Sequence, residues 1–144
     1  MCLKDGITDP PVVGREAPRV LVVDDEHLVR VVVQLGLEKS GFHVRLASSG
    51  QEAIHLYQEH KDGIDLVLLD VRMPDLDGPQ TLDVLRQLNP NVLVCFMSGN
   101  TGAYQWEDLL GRGAAEVIAK PFHLDRLTSV LRRLLDGAAC PHHC

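Results

Sequence analysis

Short, largely apolar runs recur along the chain: Val20-Leu-Val-Val23, Val44 to Ala47 with Arg45 inside it, Leu66-Val-Leu-Leu69, Val92 to Met97 and Val117-Ile-Ala119. Runs that are apolar at every position, not every second one, predict strands covered on both faces, as in a parallel sheet. Segments with helical spacing lie between them. Leu28, Val31, Val32 and Leu35 stand at i, i+3, i+4 and i+7, which predicts an amphipathic helix with these four on its apolar face and Gly41 as its stop. Ser49 and Glu52 have capping-box spacing ahead of Ile54, Leu56 and Tyr57, and open a second helix. The last helix carries Leu124, Leu127, Leu131 and Leu134.

A third helix is expected to begin near Pro79, a residue tolerated in a first turn, and to run through Leu82 and Leu85 to Leu88. The fourth is the weakest. Gly99, Gly102, Gly111 and Gly113 bracket it, and Leu109 and Leu110 are its anchors, so it is the expected site of lowest stability and of movement. Residues 1–18 carry three prolines and two glycines with no apolar period and read as a lead-in, followed by one domain over 19–136 and a short tail over 137–144. Five rounds of strand then helix, joined by right-handed crossovers, predict an α/β fold: a doubly wound sheet with helices on both faces.

Composition narrows the class. The 144 residues suit one domain with a single sizeable core, and 45% hydrophobic with 24% charged residues is the balance of a globular protein. A formal net charge of −6 opposes general nucleic-acid binding, which depends on Lys and Arg neutralising phosphates. No apolar run approaches the roughly 20 residues that span a bilayer, and the start lacks a secretory apolar stretch, so no membrane partner and a cytoplasmic location are expected. Of Cys2, Cys95, Cys140 and Cys144, Cys95 reads as a small core residue and none as part of a disulfide scaffold. Cys140-Pro-His-His-Cys144 offers four ligands in five residues, but such crowding around a proline makes a tetrahedral site hard to close.

The residues at the strand ends carry the chemistry. Asp24 and Asp25 follow the first run, Asp70 the third, Ser98 the fourth and Lys120 the fifth. In open α/β sheets ligands bind beyond the carboxyl ends of the strands, so all five are expected at one edge. Taken singly, each aspartate could cap a helix or start a turn, and Ser98 could begin a loop. Together, three carboxylates would raise one another's pKa unless a cation joined them. Lys120 supplies one charge, and an oxygen-rich donor set suits Mg2+; the absence of His and Cys there disfavours zinc. A carboxylate facing Mg2+, a lysine and a hydroxyl is a plausible nucleophile for phosphoryl transfer, and Asp70 fits that part best.

The pattern Val-Val-Asp24-Asp25-Glu, Leu-Leu-Asp70-Val-Arg-Met-Pro-Asp-Leu-Asp-Gly78, Phe-Met-Ser98-Gly and Ala-Lys120-Pro121-Phe122 resembles the response-regulator receiver family of two-component signalling, over roughly Arg19 to Asp136. The resemblance implies a flavodoxin-like five-stranded parallel sheet of order 2-1-3-4-5. It implies that Asp70 accepts a phosphoryl group from a histidine kinase or phosphotransfer protein. Asp24, Asp25 and Asp70 with the Arg72 backbone carbonyl would hold Mg2+, while Ser98 and Lys120 contact the phosphoryl group. It also implies a cis peptide between Lys120 and Pro121 and a loop shaped by Pro74 and Gly78. Arg72 and Asn100 match positions that influence how fast water attacks the phosphoryl group. Many receivers carry Tyr or Phe three residues before the lysine, where this chain has Val117, so the aromatic readout is missing: phosphorylation is still expected to move Ser98 and the loop through Thr101, without the usual coupling to the fourth-helix, fifth-strand and fifth-helix face.

The expected function is a phosphorylation-dependent switch, acting as phosphoacceptor and not as a turnover enzyme, and signalling to a separate downstream protein. Two alternatives have different signatures. A receiver-fold adaptor would bind its partner regardless of Asp70, and a flavodoxin-like cofactor binder would carry a flavin, which acidic strand ends oppose.

Overall fold

The computed structural model describes residues 17–99 and 105–139. Five parallel strands, β1 (Arg19–Val23), β2 (His43–Ala47), β3 (Leu66–Asp70), β4 (Val94–Ser98) and β5 (Glu116–Ala119), form one sheet in the order β2-β1-β3-β4-β5. A helix follows each strand: α1 (His27–Lys39), α2 (Gly50–His60), α3 (Gly78–Leu88), α4 (Trp106–Gly111) and α5 (Leu124–Ala139), with a 3-10 turn at Lys61–Gly63 after α2. This is the doubly wound, flavodoxin-like arrangement that the sequence predicts.

The alternation of side chains along each strand splits the core in two. Leu21, Val23, Val67, Leu69, Val94, Phe96 and Val117 face Ala53 and Tyr57 of α2, Leu82 and Leu85 of α3, and Leu109 of α4. Val20, Val22, Leu66, Leu68, Cys95, Met97 and Ile118 face Val33 and Leu37 of α1 and Leu127, Val130 and Leu131 of α5. Every residue of β3 and β4 is buried. Edge strand β2 departs from the double burial expected of it, because only one neighbour covers it: His43 and Arg45 are exposed between half-buried Val44 and Leu46. Cys95 lies in the core as expected, its thiol pushed up to about 12 by burial first and by Glu116 second. The other three cysteines lie outside the described residues. Among the described residues, no helix is long and apolar enough to cross a membrane.

Two expectations about helix faces need correcting. On α1 the stripe of Leu28, Val32 and Leu35 points outward, with Leu28 75% exposed, whereas Val33 and Leu37 are buried and Val29 packs against them. The run Leu28–Val33 is apolar at every position but Arg30, so two helical phases fit it. Gly36 decides between them, because it lets α1 close on Leu124 of α5: a Cβ there would meet Leu124 Cδ1 at 2.6 Å. On α4, a helix of only six residues, Leu109 is the buried anchor and Leu110 is exposed.

Local rules account for the other helix starts. Ser49 accepts the Glu52 N–H at 3.0 Å, and Glu52 reaches back to the Ser48 N–H at 2.6 Å. Asp77 and Gln80 form a reciprocal capping box across Gly78 and Pro79, each bond 3.0 Å. Tyr57, fully buried, receives a hydrogen bond from Asn89 Nδ2 at 2.9 Å, tying α2 to the end of α3.

Candidate functional site

The strand order sets β1, β3, β4 and β5 side by side, so the residues at their carboxyl ends share one edge. Asp70 and Ser98 are the last residues of β3 and β4, and Asp24 and Lys120 directly follow β1 and β5. The register carries this through: Val23 pairs with Leu69, Asp70 with Met97 and Ser98 with Ala119, and the Lys120 N–H donates to the Ser98 carbonyl at 2.8 Å.

Carboxylate oxygens of Asp24, Asp25 and Asp70 all lie within 4.8 Å of one another. Asp24 is fully buried, Asp70 and Ser98 nearly so, and Asp25 is exposed. Lys120 enters from the far side: its Nζ donates to Asp24 Oδ2 at 2.7 Å and stands 3.6 Å from Asp70 Oδ1. Asp24 Oδ1 accepts the Glu26 N–H at 2.9 Å. Three acidic groups thus share one ammonium, and the electrostatics record the shortage.

Burial, followed by the neighbouring Asp24 carboxylate, pushes the Asp70 carboxyl up to about 7; Asp25 adds to the rise, while Lys120 and the Arg72 backbone N–H, which donates to Asp70, oppose it. Burial pulls the Lys120 ammonium down, but its hydrogen bond to Asp24 and the charges of Asp70, Asp24 and Glu26 outweigh that and raise it overall. A carboxyl held near neutrality beside two other acids is the mark of a site short of positive charge. The donor set is all oxygen, which suits a hard divalent cation such as Mg2+.

The loop after β3 packs against Asp70. Gly78 N–H donates to the Val71 carbonyl at 2.8 Å, and a Cβ on Gly78 would collide with the Asp70 carbonyl oxygen and lie 2.8 Å from Val71 Cα. Backbone approach that close admits glycine alone. Asp75, after Pro74, has φ 68°, a left-handed conformation that aspartate tolerates better than most residues. The Lys120–Pro121 peptide is cis, as the resemblance implied.

The five strand-end residues are therefore gathered as the sequence predicts. Asn100 and Thr101 lie outside the described residues, as does the Cys140–Cys144 tail. Val117 is buried in the α2, α3 and α4 core. Sequence reasoning missed Arg30, whose Nη1 donates to the Asp24 carbonyl at 2.7 Å. Its signal was available, since it is the one cation inside an apolar helical run.

Comparison with known proteins agrees with this geometry. Residues 20–132 match the family model for the response regulator receiver domain. The transcriptional regulatory protein PrrA of Mycobacterium tuberculosis is 37% identical over 122 residues, 85% of this chain and 52% of PrrA. This chain thus spans about half the length of that relative. The chemotaxis protein CheY of Bacillus subtilis is 32% identical over 121 residues, 83% of this chain and 99% of CheY. Among solved structures, the CheX-CheY-BeF3-Mg+2 complex from Borrelia burgdorferi contains a chain with a TM-score of 0.78 and 28% identity, covering 83% of this chain and 90% of that one. The chain belongs to the response regulator receiver domain family, the phosphoacceptor modules of two-component signalling.

Proposed function

We propose that this protein is a phosphorylation-dependent switch in which Asp70 accepts a phosphoryl group from a histidine kinase or a phosphotransfer protein, with Mg2+ as cofactor. The observation that carries the reading is the position of Asp70: buried at a strand end, between two further aspartates and the Lys120 ammonium. The Asp70 carboxylate oxygen attacks phosphorus, the bond from phosphorus to the donor's histidine nitrogen breaks, and an acyl phosphate remains. Asp24, Asp25, Asp70 and the Arg72 carbonyl would hold the metal. When bound, Mg2+ neutralises charge on the attacking and phosphoryl oxygens.

The chain's own groups do the rest. Lys120 stands within reach of Asp70 and provides an ammonium for a phosphoryl oxygen, and Ser98 provides a hydroxyl from the adjacent strand. Transfer adds about −1.5 to −2 charges and three acceptor oxygens, which draw both groups inward and bias the loop after β4. An open cavity of about 510 Å3 between α1 and the segment joining β5 to α5, lined by Leu28, Val32, Lys120 and Phe122, gives a protein donor an apolar footing beside the Lys120 end of the site. A cytoplasmic setting and a separate downstream protein complete the reading.

The test is incubation with acetyl phosphate and Mg2+ followed by intact mass measurement. Wild type is expected to gain one phosphoryl group, and Asp70→Ala and EDTA-treated protein none. Equal masses with and without donor overturn the proposal. Val117 favours a second reading, a phosphorylation-independent adaptor, because no ring is present there to swing. A partner pull-down unaffected by Asp70→Ala and Asp70→Glu would establish that version.

A further inference from the structure

The loop that carries Asp24 and Asp25 leads into α1 without a side-chain cap: Glu26 occupies the N-cap position and makes no capping hydrogen bond. Its conformation is fixed in other ways. The Asp24 N–H donates to the Ala47 carbonyl at 3.2 Å, Asp24 Oδ1 accepts the Glu26 N–H, and the Asp24 carbonyl accepts Arg30 Nη1 at 2.7 Å. The last of these is the only one of the three donated by a side chain, and that side chain is charged. Arg30 stands at i−3 and i−7 from Val33 and Leu37, on the inward side of α1, half-buried where an aliphatic residue would pack.

We infer that Arg30 is a positioning residue of the cation site, acting through the Asp24 carbonyl. That carbonyl belongs to the peptide joining Asp24 to Asp25. Holding it from the helix fixes the orientation of both carboxylates and leaves their oxygens free for other partners, as groups behind metal ligands commonly do. A guanidinium suits the task because it stays charged and donates in a fixed plane, and a hydrogen bond from a charged donor is about twice as strong as a neutral one. This inference rests on the proposed Mg2+ site, but concerns a residue outside the donor set.

Two roles for Arg30 predict opposite signs. As a mere neighbouring positive charge it would repel Mg2+, and removing it would tighten binding. As a positioning group its loss loosens the two aspartates and weakens binding. The experiment is calorimetric titration of Mg2+ alone into the full chain, with no phosphodonor, for wild type, Arg30→Met, Arg30→Gln and Arg30→Lys, each checked by thermal unfolding. Arg30→Met is expected to raise the Mg2+ Kd about tenfold, and Arg30→Lys to recover most of the loss. Arg30→Gln, isolating a neutral donor should the methionine variant fail to fold, is expected to fall between them. Mg2+ binding by folded Arg30→Met or Arg30→Gln as tight as wild type, or tighter, overturns the inference while leaving the cation site intact. Wild-type protein that binds no Mg2+ overturns both.

Discussion

Lys120 Nζ lies 2.7 Å from Asp24 Oδ2 and 3.6 Å from Asp70 Oδ1, so the lysine proposed to contact the phosphoryl group is engaged with the aspartate beside the proposed acceptor. Asp24 is fully buried, and a buried carboxylate deprived of its cation is expensive. Lys120→Met is therefore expected to destabilise the protein by about 2–4 kcal/mol in EDTA. Mg2+ supplies the missing charge, so the gap from wild type narrows when it is added. Paired chemical denaturation curves with and without Mg2+ check this, and a gap that ignores the cation contradicts it.

Asp70 gives a pH dependence whose sign follows from its elevated carboxyl. The folded protein holds a proton there up to about 7, while the unfolded chain releases it near the ordinary value of 3.8. The stabilisation from that bound proton is present at low pH and is lost as pH rises across this window. Asp70→Asn removes the titration, so in EDTA it should exceed wild type by on the order of 2–4 kcal/mol at pH 8 and match it near pH 4. Unfolding free energies across pH 4–8 test the claim; parallel curves for the two proteins would refute it.

The phase of α1 can be read by a pair of truncations. Leu37 is fully buried and Leu35 is 58% exposed. Leu37→Ala should cost about 2–5 kcal/mol, whereas Leu35→Ala should stay within about 0.5 kcal/mol. Urea midpoints of the two variants measure the difference, and equal losses would mean the helix is rotated from the orientation described.

Gly78 tests the support behind Asp70. A Cβ there runs into the Asp70 carbonyl and Val71 backbone, neither of which can move without shifting the end of β3. Gly78→Ala is expected to destabilise by about 1–3 kcal/mol and to slow acetyl-phosphate labelling. An alanine variant with wild-type stability would show that the loop after β3 has room to adapt.

Much of this was legible in the sequence because two strong signals coincided. Runs such as Leu66–Leu69, apolar at every position, are forced into the sheet centre, and the residue ending each run then has one place to go. Asp24, Asp70, Ser98 and Lys120 were found this way. The face of α1 was not legible: Leu28–Val33 satisfies two helical phases, and the choice depends on Gly36 meeting Leu124, eighty-eight residues away in sequence. Leu110 failed similarly, since a six-residue helix has too few turns to reveal its inner side. The hold of Lys120 on Asp24 at 2.7 Å in preference to Asp70 at 3.6 Å is a matter of side-chain placement, which residue order does not encode.

The central claim is that Asp70 is the acceptor, and borohydride trapping tests it most directly. Protein labelled with acetyl phosphate and Mg2+ is reduced, which converts an aspartyl phosphate to homoserine, and the digest is mapped by mass spectrometry. The account predicts homoserine at position 70, dependent on Mg2+ and weakened in Lys120→Met. Homoserine at Asp24 or Asp25, or none at any aspartate, would contradict it.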